Sequence, residues 1–197
     1  MTSPLIRPAT VEDIAAITAI YRPAVVHGTA SFEVDAPDEA EMRHRFETIT
    51  KAGYPYLAAD VASRVVGYGY AHAYRTRPAY RYSVEDSIYV APDWHRRGVG
   101  RALLAALIAT STERGFRQMI AVIGDSGQQA SIGLHRALGF TRSGTIHAVG
   151  FKHGRWLDTV LLQRPLGDGD RTPPNDRPRC GYWSTGEGDG SAGRPIK

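Results

Sequence analysis

Strand and helix signals alternate along residues 1–166, with strand pairs joined by a short turn early and a strand–helix–strand unit later. Those two observations predict an α/β fold: a mixed, mostly antiparallel central sheet flanked by helices on both faces. The third is a glycine-rich turn between a strand and a long helix, Arg96-Arg97-Gly98-Val99-Gly100-Arg101.

Each element has a local cause. Ile6 begins a short strand. Thr10, with Asp13 three residues on, has the pattern of a helix N-cap and an acidic first turn, groups that satisfy the partnerless N–H groups of a helix start. Ile14, Ile17, Tyr21 and Val25 then form one apolar face. A second helix is expected from Asp38 to about Thr50, with Met42, Phe46 and Ile49 inward and Gly53 beyond its end. Tyr56 to Ala59 and Val65 to Tyr74 read as strands, with Asp60 to Arg64 as the hairpin turn. Ser87 to Val90 is a further strand, followed by the glycine-rich turn and a helix from about Gly98 to Arg114 that Gly115 ends. Met119 to Ile123 reads as a buried strand and Ala130 to Leu138 as a short helix. Gly139-Phe140 and Thr159 to Gln163 supply the last strands.

Composition bounds the function. The 197 residues suit one domain with an appendage, and 42% hydrophobic residues can form a core. Residues 167–197 hold seven Gly and four Pro with little apolar periodicity, which predicts a disordered tail in which Cys180, Tyr182 and Trp183 form either a docking patch or part of an untethered end. That tail is charge-balanced, so the net +4 belongs to residues 1–166 and suits an anionic small ligand better than nucleic acid. The single cysteine excludes an intramolecular disulfide, a multi-cysteine zinc site and an iron–sulfur cluster. Met1 to Arg7 has no signal-peptide pattern, and the longest apolar run, Ala102 to Ala109, is far short of a membrane span. A cytoplasmic protein without membrane, nucleic-acid or metal partners is expected.

The chemistry of the glycine-rich turn follows from the helix that it opens. A helix start carries unpaired N–H groups and a partial positive charge, so it binds phosphate through the backbone. Gly98 and Gly100 leave room for that approach, and Arg96, Arg97 and Arg101 add cationic contacts. A P-loop is excluded because no Gly-Lys pair occurs, and a dinucleotide fingerprint is disfavoured because Leu103 stands where its third glycine belongs.

Arg-Arg-Gly-Val-Gly-Arg after a strand ending Val-Ala-Pro resembles the acetyl-CoA loop of the GNAT N-acetyltransferase superfamily. Three further stretches are similar to the phosphinothricin and methionine sulfoximine acetyltransferases: Val84 to Val90, Ala130 to Phe140 and Gly150 to Asp158. Gly28 to Glu33 fits as well, and the likeness covers roughly residues 5–165.

The resemblance implies the GNAT fold and acetyl-CoA as co-substrate. It implies that the pantetheine arm pairs with the backbone of Ile88, Tyr89 and Val90, where main-chain donors can also polarise the thioester carbonyl. It implies that Arg96, Arg97, Gly98, Val99, Gly100 and Arg101 hold the pyrophosphate, with Gln128 and Ser131 as further cofactor contacts. His95 departs from the usual Gln or Arg, and Gln128 from the usual Asn.

Glu85 matches the family's proposed general base, with a solvated strand-end carboxylate as the other reading, and the adjacent Asp86 can raise its proton affinity. His135 stands where many relatives carry a Tyr acid for the CoA sulfur, with a packed helix histidine as the alternative. Arg75, Thr76 and Arg77, together with Glu85, Asp86 and Ser87, are the implied acceptor contacts, the arginines suited to carboxylate or phosphinate. Phe32, Lys152 and Trp156 complete the implied pocket, across a homodimer interface if one forms. The expected activity is acetylation of the α-amine of a small amino acid such as phosphinothricin or methionine sulfoximine or sulfone, by direct transfer in a ternary complex. A protein N-terminal or lysine acetyltransferase and a non-catalytic acyl-CoA-binding module are the competing readings.

Overall fold

The structure, a computed structural model, describes residues 3–174 and Pro178. Seven strands form one sheet in the order β1-β2-β3-β4-β5-β7-β6. They are β1 (Leu5–Pro8), β2 (Tyr56–Val61), β3 (Arg64–Ala73), β4 (Ser83–Val90), β5 (Gln118–Gly124), β6 (Thr141–Lys152) and β7 (Arg155–Pro165). Every neighbouring pair is antiparallel except β4 and β5, which α3 (Val99–Glu113) joins as a parallel crossover. The mixed sheet therefore arises as expected.

Helices α1 (Ile14–Val26) and α2 (Glu39–Lys51) cover one face. The entry to α1 is set by Asp13, which accepts the Thr10 backbone N–H at 2.8 Å and takes both arms of Arg7 at 2.7 and 2.9 Å. Ile14, Ile17, Tyr21 and Val25 are all buried against the sheet. Asp38 caps α2 by accepting from the Glu41 N–H at 2.9 Å, and Met42 and Phe46 point inward. Helices α3 and α4 (Gln129–Ala137) cover the other face, where Leu103, Leu104 and Leu107 are fully buried over Val84, Met119 and Leu162. Burying each such leucine is worth about 2 kcal/mol.

Two strands differ from the sequence expectation. Gly139 is not in a strand; at φ +85° it is the left-handed residue that ends α4, and Phe140 is the buried anchor before β6 begins at Thr141. β6 is a twelve-residue edge strand with mostly exposed side chains and register shifts after Arg142 and Ile146, so it shows no alternating apolar signal. β4 begins at Ser83, four residues before the expected start at Ser87, because its early part carries Glu85 and Asp86.

Beyond Leu166, which is buried, Arg117 donates to the carbonyls of Gly169 and Thr172, each at 2.8 Å. Cys180, Tyr182 and Trp183 lie outside the described residues. Among the described residues no helix is long and apolar enough to cross a membrane, and no group of His, Cys, Asp and Glu could hold a metal ion.

Candidate active site

The site begins where the parallel pair comes apart. β4 and β5 are registered from Ser83 opposite Gln118 to Asp86 opposite Ala121 and no further. Past that rung β4 continues through Ser87 to Val90 paired only with Tyr70 to Gly67 of β3, while β5 continues through Val122 to Gly124 paired only with β7. The β5-facing edge of Ser87 to Val90 is thus a strand edge inside the sheet, able to take a further extended chain by backbone pairing. Ile88, Tyr89 and Val90 all stand on it.

The mouth of this fork is closed by the glycine-rich turn. A 3-10 turn, Pro92–Trp94, folds the chain back, and Arg96 at φ +59° and Gly98 at φ +83° bend it into the first turn of α3. Gly98 is the N-cap, and a Cβ there would meet nothing within 4 Å. The N–H groups of Val99, Gly100 and Arg101 occupy the first turn, where a helix supplies no acceptors. Arg96, Arg97 and Arg101 are exposed, with the Arg97 guanidinium over the Trp94 ring at 5.0 Å. His95 Nε2 lies 2.9 Å from the Val90 carbonyl and ties the turn to the end of β4.

Side chains alternate along β4. Glu85, Ser87 and Tyr89 face α1 and α2, opposite His72, Tyr70 and Tyr68 of β3. Burial pushes the half-buried Glu85 carboxyl up to about 7; the charge of Asp86 adds to the rise and Arg75 opposes it. Desolvation therefore outweighs the neighbouring carboxylate that the sequence singled out. Asp86 points to the other face. Its Oδ2 lies 3.0 Å from His135 Nε2 on α4, and both side chains are buried. His135 Nδ1 is 2.7 Å from the Ser131 carbonyl. Both ring nitrogens are therefore engaged within the protein. Burial acts to lower the His135 pKa, but hydrogen bonding and the charge of Asp86 outweigh it and raise it. A buried hydrogen-bonded pair, His135 and Asp86, thus links α4 to β4.

Residues 16–140 match the acetyltransferase (GNAT) family. The chain belongs to the GNAT acetyltransferase family. It is 54% identical over 163 residues to phosphinothricin N-acetyltransferase of Alcaligenes faecalis, covering 83% of each chain. It is 43% identical over 170 residues to the L-methionine sulfoximine/L-methionine sulfone acetyltransferase of Pseudomonas aeruginosa, covering 86% of this chain and 98% of that one. Among solved structures, a GNAT superfamily phosphinothricin acetyltransferase from Sinorhizobium meliloti in complex with AcCoA superposes with a TM-score of 0.87. That match has 50% identity over 93% of this chain and 98% of that one.

The other residues named from the GNAT resemblance fall into two groups. Arg75 is close enough to Glu85 to act on its charge, and its guanidinium lies over Tyr74 at 4.6 Å. Thr76 and Arg77 follow on the same exposed loop. Ser87 hydrogen-bonds the Tyr70 hydroxyl. Phe32 and Lys152 gather at the end of the fork: Lys152 Nζ is buried and donates to the Ser31 carbonyl at 2.7 Å, and burial lowers its pKa. The Phe32 ring lies against Gly124 and Gly150, where an added Cβ would stand 2.8 and 2.5 Å from it. Trp156 does not join them; it is exposed on the β6–β7 hairpin, edge-on to Phe151. Ser131 contributes its carbonyl to His135, and the Gln128 amide donates to Thr29 at 3.0 Å.

Sequence reading missed Asp125 and His72 in this GNAT chain. Asp125 accepts from Thr29 at 2.9 Å and from the Gly127 N–H at 3.0 Å, and pairs with Arg155, so one buried carboxylate ties three segments around the fork. Its signal, a lone acid after an apolar strand, is not specific. His72 is visible only through the β3–β4 register, which sets it beside Glu85.

Proposed function

We propose that this chain is an acetyl-CoA-dependent N-acetyltransferase acting on the α-amine of a small amino acid or analogue, of the kind represented by phosphinothricin and methionine sulfoximine. The observation that carries this reading is Glu85, a half-buried carboxyl held near pKa 7 on the strand whose free edge opens the fork. A general base works best when its pKa lies near the operating pH.

Acetyl-CoA, when bound, supplies an acetyl group activated as a thioester. The first-turn N–H groups of α3 with Arg96, Arg97 and Arg101 hold the pyrophosphate, while Gly98 and Gly100 leave its approach clear. The edge of Ile88, Tyr89 and Val90 aligns the extended arm, and its main-chain donors are available to the thioester oxygen. Arg75 and Arg77 meet the acceptor's carboxylate, with Thr76, Ser87, Phe32 and Lys152 bounding its pocket. Glu85 takes the ammonium proton and so frees the nitrogen lone pair for attack on the thioester carbon; as the amide forms the C–S bond would break, and the departing CoA thiolate would take up the proton released from the amine. Asp86 and His135 act from behind β4 as positioning residues, and Gln128 and Ser131 support the start of α4.

A second copy of the chain is the proposed partner. Ile146, Val149, Phe151 and Trp156 expose apolar side chains together on the β6–β7 hairpin, a patch suited to an interface that would bring Trp156 into a shared pocket. The proposed location is the cytoplasm, in keeping with a single cysteine.

Thiol release from acetyl-CoA, measured with phosphinothricin, methionine sulfoximine, methionine sulfone and common amino acids, tests the activity. Turnover with free amino acids supports it; turnover only with peptide N-termini or lysines replaces it with protein acetylation.

A further inference from the structure

Next to Glu85, on the α2 side, a cavity of about 400 Å³ runs between helix α2 and strands β2 and β3. Pockets of this size accept small organic ligands. Tyr56, Tyr68, Tyr70 and His72 line its sheet side, and Thr48 and Ile49 line the helix side. It abuts the reacting position by register: His72 is the cross-strand partner of Glu85 and Tyr70 that of Ser87, with both pairs on one face.

The lining has a definite chemistry. Tyr56 stacks with Tyr70 at 5.0 Å and with Tyr68 at 5.9 Å, giving a continuous aromatic wall. No hydrogen bond among the described residues engages the phenols of Tyr56 and Tyr68, and burial raises the pKa of both, so they stay neutral. His72 Nδ1 is 3.0 Å from the Ala73 carbonyl and therefore carries the ring proton, which leaves Nε2 as an acceptor. Burial lowers the His72 pKa and so favours the uncharged ring. The lining cation Arg45 is committed, with Glu33 at 2.6 Å and Glu41 at 2.7 Å. An anionic side chain would find its partners outside the cavity, at Arg75 and Arg77. A large uncharged side chain would find the partly exposed Tyr70 ring and an imidazole acceptor at its wall, with Tyr56 and Tyr68 packed behind them.

We infer that this cavity is a subsite for the side chain of the acceptor amino acid, and that it fits a large uncharged aromatic side chain, as in L-phenylalanine or L-tyrosine. The inference rests on the proposed N-acetyltransferase reading and extends it. With the carboxylate at Arg75 and the ammonium at Glu85, the side chain of an L-amino acid enters beside His72. Aromatic acceptors then gain burial against Tyr70 that alanine does not.

The test compares kcat/KM for L-phenylalanine and L-alanine with acetyl-CoA in excess, in the full chain and in two variants that fill the cavity from successive turns of its α2 side, Thr48→Trp and Ala52→Leu. The full chain is expected to favour phenylalanine by about tenfold or more, the scale of hydrophobic-pocket discrimination. Each variant is expected to cut that ratio at least about fivefold. Because the readout is a ratio within one protein, a partly unfolded preparation lowers both terms alike and does not mimic the effect. Equal use of the two acceptors by the full chain, or a ratio that neither variant changes, overturns the subsite while leaving N-acetylation standing. Failure of every free amino acid to release thiol overturns the activity and the subsite together.

Discussion

Asp86 and His135, 49 positions apart, meet at 3.0 Å on the last rung at which β4 and β5 are still paired. The contact pins α4 to the point where the sheet forks. The other Asp86 oxygen, Oδ1, is buried and has no partner among the described residues. Loss of His135 would therefore strand a buried carboxylate with no cation at all.

His135→Ala is expected to destabilise the fold by about 3 kcal/mol, the usual cost of breaking a buried pair, as read from urea unfolding. The pH dependence has a definite sign. His135 has a raised folded pKa, so its stabilisation is complete below its ordinary value of 6.5 and is lost as pH rises through the folded value. Unfolding free energies measured across neutral to alkaline pH should fall in the parent and flatten in the variant. Parallel curves would show that the pair does not couple to folding.

Glu85→Gln should lower kcat at least about 100-fold, the low end for loss of a general base, with little change in acetyl-CoA affinity. In the parent, kcat/KM should rise with pH through an apparent pKa of about 7, since only the carboxylate accepts a proton. A variant that turns over normally at neutral pH would remove Glu85 from the reaction.

At Gly98 two constraints coincide. Its φ of +83° disfavours any side chain, and its open surroundings lie where an anion must approach. Gly98→Val is expected to weaken acetyl-CoA binding by tenfold or more in calorimetry, from about 1–2 kcal/mol of backbone strain and the blocked approach. Wild-type affinity would show that the α3 start does not hold the phosphates.

The His95 link to the Val90 carbonyl predicts a cofactor effect without a direct phosphate contact. His95→Ala should raise KM for acetyl-CoA about fivefold, the worth of one net hydrogen bond, and leave kcat nearly unchanged. His95→Gln should recover most of the loss, because its amide nitrogen reaches the same carbonyl. An unchanged KM in the alanine variant would mean that the turn holds its shape without the link.

What could be read from the sequence was local. The Thr10–Asp13 cap and the inward face of α1 each depend on residues close in the chain, and the structure has them where expected. What could not be read depends on register or crossing. β6 carries no alternating signal because it is an exposed edge. His135 meets Asp86 through the packing of α4 on the sheet, so the hydrogen bond at its Nε2 is not visible to a reading of residues close in the chain. For Glu85 the sequence identified the carboxyl and one neighbour, while burial, its larger influence, is a property of the assembled face.

The fork between β4 and β5 leaves the centre of the sheet missing a partner. A ligand lying there would act as an extra strand, so acetyl-CoA would be part of the architecture as well as a reactant. The unliganded protein should open first along this seam, with faster amide exchange at Ser87 to Val90, and its melting temperature should climb with cofactor concentration by mass action. An empty interior edge is also a place where another extended chain could pair, so keeping the enzyme charged with cofactor would protect it from aggregation as well as prepare it for turnover.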